Sequence, residues 1–230
     1  MPTSRGSTSK SSPRSARAPI RIPPALAEWW RGQPRLALQE SPVSQLVDLT
    51  AMAPVERLLV LGPDAVGMAT LIAAAADLEQ TPLAVIDGDQ GPLDRAGVDT
   101  MHAQSHRLPL DDASIDFAIL PHLLRRWDDE YAVLVLEELW RVLAHNGVVV
   151  MWEIAASRSN AVNAAWSLVL SRNDRTPALR NFGQVGQLAY DAGFAWVQTL
   201  PLRPFLFPPG PRLTVLARKE HYTPENIGRG

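Results

Sequence analysis

Four stretches of this chain set residues able to do chemistry at the ends of apolar runs, where a buried strand would deliver them to a surface. Leu61-Gly62-Pro63-Asp64 ends the run that begins at Arg57, and Asp87-Gly88-Asp89 closes Pro82 to Ile86. Gln104-Ser105 follows a weaker run, Val98 to His102, and Leu120-Pro121-His122 ends a run from Ile115. Gly62 permits close approach of backbone to a ligand. His122 is the side chain best suited to act as a general base, or it is a structural histidine. Arg125-Arg126 either meets an acidic substrate or solvates the start of a helix. The chain has no cysteine, which excludes disulfides, thiolate metal sites and a cysteine nucleophile. No metal site is expected.

The elements that position these residues alternate in type. Arg57 to Leu61, Pro82 to Ile86, Ile115 to Leu120 and Val148 to Ile154 read as buried strands, with a weaker one over Val98 to His102. Between them, Met68 to Leu78 and Glu130 to Ala144 read as helices, the second closed by Asn146-Gly147. Strands alternating with helices predict a parallel sheet covered on both faces. The end of the chain differs. A helix near Val185 to Ala192 stops at Gly193, and Phe194 to Leu200 and Arg212 to Ala217 read as an antiparallel hairpin on the sheet edge.

At 230 residues, 46% hydrophobic and 20% charged, the chain suits one well-buried domain. Its net charge of −2 gives no signal for nucleic acid or an anionic membrane. Its most apolar stretch, Leu58 to Ala76, is interrupted by Gly62, Pro63, Asp64 and Gly67, so no transmembrane segment is expected. The N-terminus lacks a secretory signal's apolar core, and a cytoplasmic location is the expectation. Residues 1–22 carry Arg5, Lys10, Arg14, Arg17 and Arg21 with no acid, and read as a disordered basic arm. The arm is a solvated tail, a tether to an acidic protein partner, or an organelle transit peptide without the usual amphipathic stripe. Residues 23–53 read as N-terminal helices, with Leu26, Trp29, Trp30, Leu36, Leu46 and Leu49 among their apolar positions. Residues 54–220 form the main domain and 221–230 a tail.

Leu108-Pro109-Leu110-Asp111-Asp112-Ala113-Ser114-Ile115-Asp116-Phe117, running on to Trp127-Asp128-Asp129, closely resembles the middle of the class I S-adenosylmethionine-dependent methyltransferases, in the methyltransferase type 11 branch. Glu138 to Gly147 resembles the same family's helix ending in Arg-Val-Leu-Lys-Pro-Gly-Gly, and Ala192-Gly193-Phe194 matches its Ala-Gly-Phe. The similarity spans about residues 52 to 219. It implies an α/β, Rossmann-like, seven-stranded and mostly parallel sheet, with helices on both faces and a C-terminal antiparallel hairpin. It also implies a cofactor, S-adenosylmethionine, across the carboxyl ends of the first strands.

Carried over position by position, the resemblance assigns Leu61, Gly62, Pro63, Asp64 and Gly67 to the cofactor's methionine portion. Asp87 and Gly88 fall at its ribose, Gln104 and Ser105 at its adenine, and Leu120 beside the sulfonium, with His122 as the candidate base. Three positions depart from the family. Val60 stands where the strand acid belongs, Pro63-Asp64 replaces two positions of the glycine motif, and Gln104 replaces an aspartate. Asp64 reads as the N-cap of the following helix, or as a carboxylate that repels the cofactor's own. Asp87 reads as a ribose ligand or a turn aspartate, with Asp89 as substitute. Gln104 offers an uncharged carbonyl acceptor, or is a loop glutamine.

The resemblance implies methyl transfer to a small-molecule acceptor. The departures support an alternative, a fold that has lost the reaction and serves as a binding or assembly subunit. A nucleotide-binding dehydrogenase is disfavoured by the lone glycine after the first strand.

Overall fold

Leu58–Leu61 (β1) is buried at all four positions, as a strand covered on both faces must be. The computed structural model describes residues 55–62, 65–75, 80–87, 98–171, 177–200 and 212–219. These all fall in the larger of two units into which the chain divides, 41–230. The basic arm, the helices expected over 23–53, Pro63, Asp64, Gly88, Asp89 and the 221–230 tail lie outside the described residues.

After β1 come α1 (Ala65–Ala75), β2 (Leu83–Asp87), β3 (Asp99–Ala103) and β4 (Ile115–Pro121). Then follow a short 3-10 turn (Leu124–Arg126), α2 (Asp129–Val142), β5 (Leu143–Ile154), α3 (Asn160–Leu170), α4 (Phe182–Asp191), β6 (Trp196–Leu200) and β7 (Arg212–Arg218). The seven strands form one sheet in the order β3-β2-β1-β4-β5-β7-β6. β1 pairs in parallel with β2 and β4, and β4 with β5, while β7 runs antiparallel to both β5 and β6. This is the mostly parallel, Rossmann-like sheet with a reversed terminal hairpin that the sequence predicts.

Helix α2 shows how the sequence dictates its packing. Ala132, Val135, Leu136, Leu139 and Val142 recur at three- and four-residue spacings and are all buried. Its N-cap, Asp128, accepts a hydrogen bond from the Tyr131 amide at 2.9 Å. The boundaries differ from those predicted. The helix ends at Val142, and β5 begins at once, Leu143 pairing with Ile115 before the register shifts. Helix α3 was not anticipated. Its polar residues, Asn160, Asn163 and Ser167, share one stripe at helical spacing, and only Trp166 among its residues is buried. Among the described residues, no helix is long and apolar enough to cross a membrane.

Candidate active site at the carboxyl ends of the strands

The chain turns out of β1 at Gly62, whose φ of +143° is closed to ordinary L residues. Its amide donates to the Val85 carbonyl of β2 at 3.0 Å, and its carbonyl accepts from the Ala65 amide at the start of α1 at 3.1 Å. A β-carbon here would lie 3.7 Å from both the Pro121 carbonyl oxygen and a Leu123 methyl. The turn after β1 therefore abuts the turn after β4, and its place is set by two neighbouring strands.

Parallel pairing brings the other sequence candidates to the same end of the sheet. Leu61 is buried in β1 and Leu120 in β4, and Asp87 is the last residue of β2, beside Ala103 of β3. Gln104 follows β3, is exposed and bridges to Arg107, and the neighbouring Ser105 is wholly buried. Gly67 lies inside the first turn of α1, and among the described residues outside that helix's backbone nothing comes within 4 Å of the β-carbon it lacks. Val60 is wholly buried. Pro63, Asp64 and Gly88 lie outside the described residues.

His122 leaves β4 with φ of +54°, a region where histidine is one of the few tolerated side chains. Its amide donates to the Trp152 carbonyl at 2.8 Å, extending the β4–β5 ladder by one rung. Its ring Nε2 accepts from the Trp152 indole N–H at 2.9 Å, which puts the imidazole proton on Nδ1. Nδ1 lies 3.9 Å from a Glu153 oxygen, beyond hydrogen-bond length yet close enough for attraction. Arg125 donates from Nη1 to the His122 carbonyl at 2.5 Å and to Glu153 at 3.3 Å. Burial pushes the Glu153 carboxyl up, and Arg125 with His122 outweighs it, holding the group below its usual range.

A second arginine ties down the segment after β4. Arg180, buried, donates to the Leu124 carbonyl at 2.6 Å, the Trp127 carbonyl at 2.7 Å and Asp129 at 2.8 Å. Arg180, Glu153 and Trp152 are the residues that sequence reasoning missed. Only a charge inside the apolar run Val148 to Ile154 marks one of them, and Arg180 bonds groups more than fifty positions away. Among the described residues, no cluster of histidine, aspartate or glutamate is arranged to hold a metal.

The stretch that carried the family resemblance is pinned to α2. Glu138 accepts from the Leu108 amide at 2.6 Å, while Arg141 donates to the Leu108 and Leu110 carbonyls, to Glu138 and to Asp112. These residues tie the chain entering β4 to the helix that follows it. The Arg141 hydrogen bond, against the opposing effect of burial, holds the Glu138 carboxyl below its ordinary value of 4.5. A depressed folded-state value means stability present above about pH 4.5 and lost as pH falls through the folded-state value. Glu138→Gln is expected to lower stability at pH 7 by about 1.5–3 kcal/mol. The gap from the unsubstituted protein should shrink at pH 3, as thermal denaturation at the two pH values would show.

Residues 65–151 match the model of the methyltransferase domain family. The search of curated sequences finds no significant match. Among solved structures, human N-acetylserotonin methyltransferase in complex with S-adenosylmethionine is 19% identical, with a TM-score of 0.60 over 86% of this chain and 54% of that one. The S-adenosylmethionine-dependent methyltransferase SibL is 19% identical, with a TM-score of 0.62 over 87% of this chain and 60% of its own. An S-adenosylmethionine-dependent methyltransferase of Methanosarcina mazei is 13% identical, with a TM-score of 0.54 over 74% and 95%. The chain thus spans little more than half the length of the first two. It carries a match to the methyltransferase domain over residues 65–151, within a fold shared with S-adenosylmethionine-dependent methyltransferases.

Proposed function

We propose that this chain binds S-adenosylmethionine across the carboxyl ends of β1, β2 and β3 and transfers its methyl group to a small-molecule acceptor. The observation that carries the reading is the Gly62 turn, with its positive φ, its tie to β2 and its approach to the turn after β4. The open space beside Gly67 adds room at the start of α1 for the methionine portion. Asp87, at the end of β2, is the group to accept from the ribose hydroxyls, and the exposed Gln104 the one to accept from the adenine amino group. Ser105 and Gly88 flank these two in sequence, and Leu61 and Leu120 bring the apolar ends of β1 and β4 to the same edge.

When bound, this cofactor supplies a methyl group on an electrophilic sulfonium. The chain's own share is to hold donor and acceptor in line and to exclude water, work that rests on proximity and orientation and needs no strong base. The test is Asp87→Ala. Loss of two hydrogen bonds to a carboxylate is expected to weaken S-adenosylhomocysteine binding by about a hundredfold, measured by calorimetry, with the melting temperature little changed. Unchanged affinity would remove Asp87 from the site.

A second reading, an assembly subunit without activity, is favoured by the buried Val60 in place of the family's acid and by the engagement of the His122 ring with Trp152. Its partner would be a protein recognised by the basic arm. Pull-downs with and without residues 1–22 test it, and identical partner sets would end the tether idea.

A further inference from the structure

We infer that His122 is a positioning residue that, with Trp152, clamps the turn after β4 against the Gly62 turn. The inference deepens the methyl-transfer reading and rests on it for the ligand, while the clamp itself is a property of the protein alone.

A residue with a β-carbon at φ of +54° stays there only when its surroundings over-determine it. Three groups of His122 are held at once. Its amide and its ring are both bonded to Trp152, and its carbonyl is bonded to Arg125, which Glu153 holds in turn. Trp152 is 2% exposed and is paired on both sides, with Pro121 at the end of β4 and with Thr214 of β7, so its indole N–H is a fixed donor. The lone pair of Nε2 is committed to that donor, and Nδ1 is buried and carries the proton. Neither nitrogen is placed to take a proton from an acceptor.

What the ring does control lies on either side of it. The residues before and after His122 are the two that face Gly62: the Pro121 carbonyl oxygen and the Leu123 methyls, at 3.7 to 3.9 Å from its absent β-carbon. Turning the backbone of His122 moves both contacts together. The bond to Trp152 therefore fixes the wall against which the Gly62 turn rests.

The experiment has two arms, each on the full chain with His122→Ala, His122→Asn, Trp152→Phe and the His122→Ala/Trp152→Phe double variant. Asparagine accepts the left-handed conformation and offers a carbonyl to the indole, so it should rescue. In the ligand-free arm, amide exchange in peptides covering 58–66 and 120–128 should quicken by about tenfold in His122→Ala and Trp152→Phe, the worth of one buried hydrogen bond. The double variant should add little to either single one, because they remove the same bond. Peptides over α4 should not change.

In the second arm, S-adenosylhomocysteine affinity measured by calorimetry should fall by about tenfold in the same variants and recover in His122→Asn. Exchange unchanged near Gly62 in Trp152→Phe, or no rescue by asparagine, overturns the clamp whatever the titration shows. Exchange that responds as expected, with no binding by any protein, upholds the clamp and retires the methyl-donor reading.

Discussion

Arg180→Met is expected to destabilise the protein by about 3 kcal/mol, because two carbonyls, those of Leu124 and Trp127, lose their guanidinium donor at about 1–3 kcal/mol each. For a domain of this size that corresponds to a fall in melting temperature of roughly 6–12 °C. Asp129 contributes little, since its side chain is 76% exposed and its ion pair is screened. Methionine keeps the packing of the aliphatic stem, so the loss reports the planar head. Lysine should recover less than half of it, because one ammonium cannot span three acceptors that a guanidinium reaches from Nε, Nη1 and Nη2. The effect should also be local. The segment carrying Arg180 is laced to the site by the Ala178 amide on the Arg125 carbonyl at 2.7 Å and by the Ala156 amide on the Arg180 carbonyl at 2.9 Å. A fall of less than 2 °C would show that water serves those carbonyls as well as the arginine does.

The second large effect concerns affinity. Asp64→Gly is expected to tighten S-adenosylmethionine binding. Two carboxylates about 5 Å apart repel by roughly 3 kcal/mol at an effective dielectric near 20, or around a hundredfold. Because glycine is itself an acceptable N-cap, the helix that begins at Ala65 should lose only a few tenths of a kcal/mol. The two consequences separate the two readings of Asp64. Tighter binding at nearly constant stability identifies repulsion. No gain in affinity, with stability nearly unchanged, removes the repulsion and leaves Asp64 as a cap that glycine replaces.

How much of this was legible in the sequence depends on the range of the interactions. The strands were readable because both-face burial writes itself as continuous apolar runs, as in Leu58–Leu61. The reversed hairpin was readable from Ala192-Gly193-Phe194 and the two apolar runs beyond it. Helix α3 was missed although Asn160, Asn163 and Ser167 set a polar stripe at helical spacing that could have marked it. The end of α2 was misplaced by a few residues because Asn146-Gly147 marks a turn within the entry to β5 instead of the helix terminus; Asn146 has a φ of +62°.

The site divides in the same manner. Gly62 was visible from its place after an apolar run, and its positive φ is what only glycine could signal. The role of His122 was not visible, because its ring partner stands thirty positions away on another strand. Gly67 was read as a displaced last glycine of the cofactor motif, and the helix that carries it begins two residues earlier, at Ala65. Arg180 was silent because its partners, Leu124, Trp127 and Asp129, are more than fifty positions away, and Glu153 left only the mark of a charge inside an apolar run.

The central claim is that the Gly62 turn still receives the methyl donor despite Val60, Pro63-Asp64 and Gln104. Calorimetric titration of the unsubstituted full chain with S-adenosylmethionine and S-adenosylhomocysteine tests it most directly. Saturable one-to-one binding of both is expected, with Kd below about 1 mM. No heat of binding from either ligand at millimolar concentration would contradict it.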